Sequence, residues 1–340
     1  MFGRLFGIFS KHLAMDLGTA NTLLYTRTQG VVLSEPSVVA LDADRGNVLA
    51  VGREAKEFLG RTPKRIRAVR PMRDGVIADF EVTRQMIAYF IKKVMQGFNI
   101  ARPNIVICVP TGITQVEKRA VIESAQQAGA NTVYLVEEPM AAALGADLPI
   151  HEPLGNMVVD IGGGTTEVAI ISLSAVAYAE SVRVAGDAMN MAIQRYLQSE
   201  FQLLIGENMA ERIKIAVGSA YPLPEQLVIE VSGKHLVHGT PCSVRISDGH
   251  IREALAEPVR AIVLAVRKAL EKTPPELAAD IGTNGVLLAG GGSLLKGLDA
   301  LLHKDTGLSI QVDREPLTTV VRGTGRTLDD LKFYSKVFIN

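Results

Sequence analysis

Short apolar runs alternate along the chain with segments in which apolar residues recur every three or four positions. The runs at 105–109 and 286–289 are typical of buried strands, whereas 82–95 and 115–128 have the spacing of amphipathic helices. Gly129 is well placed to end the second of these helices. The pattern predicts a globular chain in which strands and helices follow one another.

Two short polar segments, at 16–22 and 160–166, are nearly alike in sequence and in surroundings. Each follows one apolar run and leads into another, which predicts a strand, a tight glycine turn and a second strand. Backbone N–H groups of such a turn can bind an anion, and the aspartate before it can hold a hydrated Mg²⁺. One such turn is common in hairpins. Two of them indicate a duplicated phosphate clamp, so function is expected in a cleft between two related halves.

A third element joins a strand at 134–136 to a helix at 140–146 through Glu137, Glu138 and Pro139. Pro139 suits the first position of that helix, which places Glu138 at the N-cap, where the helix dipole favours an ionised carboxyl group. Glu138 is then either a simple capping residue or a carboxylate that orients water at the mouth of the cleft.

The second half repeats this order with a larger insertion. Strands are predicted across 160–184 and 228–246, and helices over 189–204, 209–217 and 251–270. The last of these is amphipathic throughout, and a pair of prolines follows it.

A glycine run at 290–293 follows the strand at 286–289 and precedes a helix predicted from 294 to about 304. Glycines between a strand and a helix let a flat ring or a sugar approach the backbone. After two phosphate turns, this run completes a nucleotide site in the expected order. In the first half, the charged stretch from 41 to about 70 is predicted to be irregular, as a small inserted subdomain.

Composition fits a globular protein: of 340 residues, 47% are apolar and 21% are charged, which suits two or three domains. Basic and acidic residues balance at 36 each, so no global field favours nucleic acid. One basic cluster is either a solvated surface or a contact with a neighbouring subunit or acidic lipid. Its members are Arg61, Lys64, Arg65, Arg67, Arg70 and Arg73.

The two cysteines, Cys108 and Cys242, have neither a metal spacing nor a disulfide spacing, which favours a reducing cytoplasm. Cys108 lies in an apolar run and is expected to be buried there. No apolar run reaches the length of a transmembrane helix.

The N-terminus carries an apolar stripe at helical spacing, formed by Phe2, Leu5, Phe6 and Phe9. The segment lacks the long apolar region and the cleavage site of a secretory signal. Residues 1–11 are therefore either a helix docked on their own domain or an amphipathic membrane anchor.

Nine motifs, in this order, resemble the actin, Hsp70 and sugar-kinase superfamily, and within it the bacterial shape-determining MreB family. They lie at 16–22, 34–40, 60–63, 70–79, 137–143, 158–168, 210–214, 274–277 and 290–293. The resemblance implies an α/β actin-like ATPase fold of two lobes, each with an RNase-H-like core and a smaller inserted subdomain. The first lobe would comprise 12–150 with about 313–340, with its insertion at about 33–70. The second would comprise 151–312, with its insertion at about 185–246.

The resemblance also implies a site for ATP and Mg²⁺ in the cleft. Glu138 corresponds to the residue that positions water, Thr165 to its partner near the γ-phosphate, and Asp16 and Asp160 to residues that hold Mg²⁺ through water. The first phosphate loop would comprise Asp16, Gly18, Thr19, Ala20 and Asn21. The second would comprise Asp160, Gly162, Gly163, Gly164, Thr165, Thr166 and Glu167. The adenosine would be surrounded by Glu211, Lys214, Ile215, Gly290, Gly291, Gly292 and Ser293.

By the same resemblance, the protein is expected to hydrolyse ATP slowly and to assemble into filaments on the inner face of the cytoplasmic membrane. There it would organise cell-wall synthesis with membrane proteins of the elongation machinery, without binding nucleic acid. The alternative function is a small-molecule kinase with the same cleft. Two departures from the family pattern stand out: Asn190 and Met191 replace a frequent acidic pair, and the loop at 99–102 is less apolar.

Overall fold

The computed structural model describes residues 12–61, 63–95 and 102–339. Its strands, in chain order, are β1 (Leu13–Leu17), β2 (Asn21–Thr26), β3 (Gly30–Pro36), β4 (Val39–Asp42), β5 (Val48–Val51), β6 (Ile66–Val69), β7 (Met72–Arg73), β8 (Val76–Ile77), β9 (Ile105–Val109), β10 (Val133–Glu137), β11 (Asn156–Ile161), β12 (Thr166–Ser172), β13 (Ala175–Val182), β14 (Leu203–Leu204), β15 (Val228–His235), β16 (Pro241–Ser247), β17 (Val286–Ala289) and β18 (Ile310–Val312).

The helices of the described residues are α1 (Arg53–Phe58), α2 (Phe80–Val94), α3 (Gln115–Gln127), α4 (Glu138–Gly145), α5 (Gly186–Phe201), α6 (Glu207–Val217), α7 (Asp248–Ala254), α8 (Ala256–Lys272), α9 (Pro275–Asn284), α10 (Leu298–Thr306) and α11 (Thr319–Arg326). Two short 3₁₀ segments, Gly291–Leu294 and Phe333–Val337, complete the set.

Two five-stranded sheets are built on the same plan. The first has the order β10-β9-β1-β2-β3 and the second β18-β17-β11-β12-β13. In each, a hairpin pairs the first two strands antiparallel, and a later strand pairs parallel with the first strand of that hairpin. The two predicted glycine turns are the turns of these two hairpins. This matching topology is the structural counterpart of the sequence repeat.

Smaller elements are inserted into each half. In the first, β4, β5 and β6 form a three-stranded sheet that packs with α1 around a small apolar cluster. The stretch from 41 to 70, expected to be irregular, therefore contains two strands and a helix. In the second half, β14, β15 and β16 form another three-stranded sheet. The lobe boundaries implied by the family resemblance stay predictions.

Three helical predictions were wrong in detail. The helix expected at 189–204 ends at Phe201, and Leu203–Leu204 form β14 instead. The expected helix at 251–270 is divided at Leu255 into α7 and α8, because Pro258 lies in the first turn of α8 and has no N–H to donate to residue 254. The helix expected from 294 begins only at Leu298. A 3₁₀ segment ends at Leu294 and residues 295–297 are not helical; Gly297 adopts a left-handed conformation with φ of 71° just before the helix.

Helices α4 and α11 cross each other at two glycines. A Cβ atom on Gly323 would overlap the carbonyl oxygen of Ala141, and one on Gly145 would overlap that of Thr319. Helix α11 also packs on β1 and β2, and α4 on β10 and β11. The pair therefore lies between the two main sheets, and the first residue of α4 is Glu138.

Candidate functional site

A cavity of about 410 Å³ lies between the two main sheets, at the ends of β1 and β11. Both glycine turns line it, together with the starts of α4 and α5, the side of α6 and the turn after β17. The predicted site residues that line the cavity are Asp16, Gly18, Thr19, Ala20, Asn21, Glu138, Asp160, Gly162, Gly163, Gly164, Thr165, Glu211, Lys214, Ile215, Gly290, Gly291 and Gly292.

Three predicted site residues do not line the cavity, and each has a partner elsewhere. The Thr166 hydroxyl donates to the carbonyl oxygen of Val184 at 2.7 Å. The Glu167 carboxylate accepts from the Ser181 hydroxyl at 2.6 Å and from the Thr111 N–H at 3.3 Å. The Ser293 hydroxyl donates to the carbonyl oxygen of Gly290 at 2.6 Å and so closes its own turn.

The two glycine turns approach each other directly across the cavity. A Cβ atom on Gly163 would lie 2.5 Å from the Cβ of Ala20, and one on Gly164 would lie 2.7 Å from the Thr19 hydroxyl. That hydroxyl also accepts a hydrogen bond from the N–H of Gly75 at 3.0 Å, which ties the β7–β8 hairpin to the first turn. Only glycine permits this spacing, so the sequence sets how closely the turns can enclose a ligand.

Glu138 lies in the first turn of α4 rather than at its N-cap. The N-cap is Glu137, whose side chain caps nothing, and Pro139 follows Glu138 within the helix. The N-cap prediction was therefore wrong by one residue, because Pro139 fits the second helical position as well as the first. The consequence is that Glu138 needs no capping role, and its side chain borders the cavity.

Buried carboxyl groups accumulate at one end of the cavity. Burial raises the pKa of Asp16 to about 6, and burial together with the Asp16 charge raises that of Asp160 to about 7. The pKa of Glu138 is well above its usual value, again through burial first and then the Asp160, Glu167 and Asp16 charges. Such a group of acids is electrostatically unfavourable without a cation.

Of the possible ligand atoms at this end of the cavity, the carboxylate oxygens suit a hard divalent cation and the Cys108 sulfur does not. Oδ1 of Asp160 is buried without a hydrogen-bond partner among the described residues. Ligand atoms of Asp16, Glu138 and Cys108 lie within 4.8 Å of one another. Carboxylate oxygens are ligands that Mg²⁺ prefers, whereas a thiol is not. Cys108, buried in β9, instead donates to Oδ1 of Asp16 at 3.3 Å and has a strongly raised pKa through burial.

The other end of the cavity combines polar groups from α5 and α6 with apolar side chains. Lys214 donates from Nζ to the carbonyl oxygen of Gly186 at 2.9 Å, and burial lowers its pKa. Glu211 accepts from Lys56 of the first half at 2.6 Å. Exposed faces of Ile215, Leu294 and Leu317 lie at the same end. This combination suits a sugar beside a flat apolar ring.

Several lining residues were missed by sequence reasoning. They are Leu23, Gly75, Gly186, Asp187, Met189, Asn190, Leu294, Leu295, Pro316, Leu317 and Val320. The departure from the family pattern at Asn190 could have indicated that α5 borders the site, because the residues around Asn190 were already aligned with that pattern. No comparable signal marked Pro316 and Leu317, which reach the cavity from a loop.

Two other sequence features have separate outcomes. Arg70 of the basic cluster forms an ion pair with Glu207 of α6 across the cleft, so it is not a free surface charge. The apolar stripe of Phe2, Leu5, Phe6 and Phe9 lies outside the described residues. Among the residues that are described, none of the helices has the length and apolar character needed to cross a membrane.

Comparison with known proteins gives consistent matches over nearly the whole chain. The family model described as MreB/Mbl protein matches residues 10–336. The cell shape-determining protein MreB of Escherichia coli K12 is 55% identical over 328 residues, covering 95% of this chain and 94% of the relative. Mbl of Bacillus subtilis is 47% identical over 324 residues, covering 95% and 97%.

Solved structures match the fold equally well. MreB5 of Spiroplasma citri bound to ADP has a TM-score of 0.91 at 34% identity, covering 96% of this chain and 98% of that one. The same protein bound to AMPPNP has a TM-score of 0.90. The relatives are shape-determining proteins, so the small-molecule kinase alternative was wrong. By sequence and by its actin-like fold, the chain belongs to the MreB/Mbl family.

Proposed function

We propose that this chain, an actin-like shape-determining protein by its family, binds ATP with Mg²⁺ in the cavity and hydrolyses it slowly. The observation that supports the proposal is the facing pair of glycine turns, so close that a Cβ atom on Gly163 would lie 2.5 Å from the Cβ of Ala20, with buried acids beside them. N–H groups of such turns bind phosphate oxygens from both sides. The nucleotide-bound structures of Spiroplasma citri MreB5 support the same choice of ligand.

Asp16 and Asp160 are the residues that would hold Mg²⁺, through water, because each is the second-last residue of a strand beside a glycine turn and lines the cavity. Bound there, the cation would neutralise phosphate charge and favour the ionised form of the neighbouring acids. The Asp160 oxygen that has no partner would then be satisfied by coordinated water.

Glu138 is the proposed water-positioning residue. It lies in the first turn of α4 and borders the cavity beside Asp16, where a bound cation would offset the neighbouring acids that, after burial, raise its pKa. Hydrolysis of a phosphoanhydride depends mainly on the placement of water and on charge stabilisation, so one oriented carboxylate is sufficient. Thr165, at the end of the second turn, is proposed to hold the same water or the terminal phosphate from the other side.

The test replaces Glu138 with alanine or glutamine and measures ATP hydrolysis and nucleotide affinity separately. Loss of an orienting carboxylate should lower the hydrolysis rate by about 100-fold or more, while the dissociation constant changes by less than about threefold. Glu137→Gln is the matched control, because Glu137 is adjacent but does not line the cavity. Collapse of nucleotide binding in Glu138→Gln would instead assign this residue a structural role.

We further propose that the protein assembles into filaments held on the inner face of the cytoplasmic membrane by residues 1–11. Head-to-tail contacts that do not close produce filaments. Four large apolar side chains, each contributing about 1.5–3 kcal/mol when buried, would bind weakly alone and strongly when repeated along a polymer. Membrane proteins of the elongation machinery would be the partners through which the filament organises wall synthesis.

Co-sedimentation with liposomes in the presence of ATP tests this second proposal. The full chain should sediment with lipid, and a chain lacking residues 1–10 should stay in the supernatant while it still binds nucleotide. Equal sedimentation of the two chains would show that another surface contacts the lipid. A full chain that forms no polymer at any concentration would contradict the filament proposal.

A further inference from the structure

Asn190 is a polar residue of the cavity to which neither the phosphate turns nor the proposed hydrolysis assigns a role. It lies in the second turn of α5 and is 4% exposed, yet it lines the cavity. Its Oδ1 atom has no hydrogen-bond partner among the described residues. Because buried polar groups are normally hydrogen-bonded, this carboxamide is expected to obtain its partner from a ligand.

The position of Asn190 relative to the second phosphate turn indicates which part of the ligand it meets. The N–H groups of Gly186 and Asp187 donate to the carbonyl oxygens of Gly162 and Gly163, at 3.2 and 2.8 Å. The start of α5 is therefore fixed to the phosphate turn. Asn190 comes four residues after Gly186, about 6 Å further along the helix axis and on the same helix face. In a nucleotide, the sugar lies at that distance from the phosphates.

The surrounding side chains separate a sugar region from a base region. Apolar faces for a flat ring come from Ile215, Leu294 and Leu317, whereas Lys214 and Asn190 come from facing helices beside Gly186. A carboxamide both donates and accepts, which matches a hydroxyl group that does the same.

We propose that Asn190 is a sugar-specificity residue, whose carboxamide hydrogen-bonds a ribose hydroxyl of the bound nucleotide. The inference rests on the proposed nucleotide binding and adds a residue that distinguishes ribonucleotides from their deoxy analogues. An analogue that lacks the hydroxyl leaves Oδ1 of Asn190 buried without a partner, and so binds more weakly.

The experiment measures dissociation constants by calorimetry, with Mg²⁺, for ADP, 2′-deoxy-ADP and 3′-deoxy-ADP. Diphosphates avoid hydrolysis, and the two analogues identify which hydroxyl is bound. The unmodified chain should bind one analogue about 3- to 10-fold more weakly than ADP. Asn190→Ala should reduce that ratio to near one, and Asn190→Asp should keep it because the acceptor remains.

Asn208→Ala is the matched control, since its Oδ1 is also buried and unpartnered but the residue does not line the cavity, and the ratio should stay unchanged. If Asn190→Ala does not fold, Asn190→Leu keeps the branched shape and removes the polar group. Equal affinities of the unmodified chain for all three nucleotides, or a ratio that persists in Asn190→Ala, would overturn the assignment. Failure of the unmodified chain to bind ADP at all would instead contradict the proposed function.

Discussion

Replacing Asp160 with asparagine should stabilise the nucleotide-free and Mg²⁺-free protein at neutral and alkaline pH. The pKa of Asp160 is raised in the folded state from 3.8 to about 7, first by burial and then by the charges of Asp16 and Glu167. At pH 8 the group is ionised in both the folded and the unfolded chain, so the folded state bears the full penalty. The substitution removes the charge without breaking a bond to Oδ1, which has no partner.

The sign and size follow from linkage. Between about pH 4 and pH 7 the folded chain keeps a proton that the unfolded chain has released, so its stability falls as the pH rises through this window. The pKa change corresponds to about 4 kcal/mol at most. Because the penalty is shared with neighbouring acids, we expect Asp160→Asn to gain about 1–4 kcal/mol at pH 8 and about a quarter of that gain near pH 4.5.

The assay is urea unfolding at several pH values from 4.5 to 8, with chelator present and nucleotide removed. The quantity of interest is the difference in unfolding free energy between Asp160→Asn and the unmodified chain. Asp44→Asn, at an exposed turn, is the control and should show no such trend. A difference that does not change with pH, or a variant that is less stable at pH 8, would refute the electrostatic reasoning.

Two glycine substitutions give the remaining predictions. Gly163→Ala should weaken nucleotide binding more than tenfold in calorimetry, since its Cβ would lie 2.5 Å from that of Ala20. Gly162→Ala is the control and should bind the nucleotide better than Gly163→Ala, because its Cβ would lie 3.4 Å from the nearest atom. Equal losses of affinity in the two variants would contradict the steric account. Gly323→Ala should lower the unfolding free energy by about 3 kcal/mol or more, because its Cβ has no space against α4. Gly282→Ala, in an open helical position, is the control and should be neutral or stabilising by up to about 1 kcal/mol. Similar unfolding free energies of Gly323→Ala and Gly282→Ala would show that the crossing tolerates a methyl group.

The duplicated hairpins were predictable because their signal is local. Apolar runs of strand length on both sides of an Asp-Gly turn define each hairpin, and the two sheets repeat that order. The error at 251–270 has the opposite cause. That helix was predicted from its apolar spacing alone, and the spacing continues unchanged past Pro258, whose missing N–H accompanies the division into α7 and α8.

Site membership was predictable where glycine turns form the wall and where a family motif identified side chains such as Glu138 and Lys214. The glycine turns line the cavity as expected, but Thr166 and Glu167 belong to β12, where the side chains point toward partners outside it. The loop residues Pro316 and Leu317 reach the cavity through tertiary packing. A sequence motif includes both residues that line the cavity and neighbours, such as Thr166, whose side chains form structural hydrogen bonds, and it does not separate the two.

The glycine crossing of α4 and α11 makes the proposed catalytic centre sensitive to the C-terminal part of the chain. Glu138 and Gly145 lie at opposite ends of α4, about 10 Å apart along its axis. A larger residue at either crossing position can be accommodated only if one backbone moves, and a displaced α4 carries Glu138 with it. Gly323 does not line the cavity, so a larger residue there should first impair water positioning by Glu138, before the nucleotide is bound any less tightly.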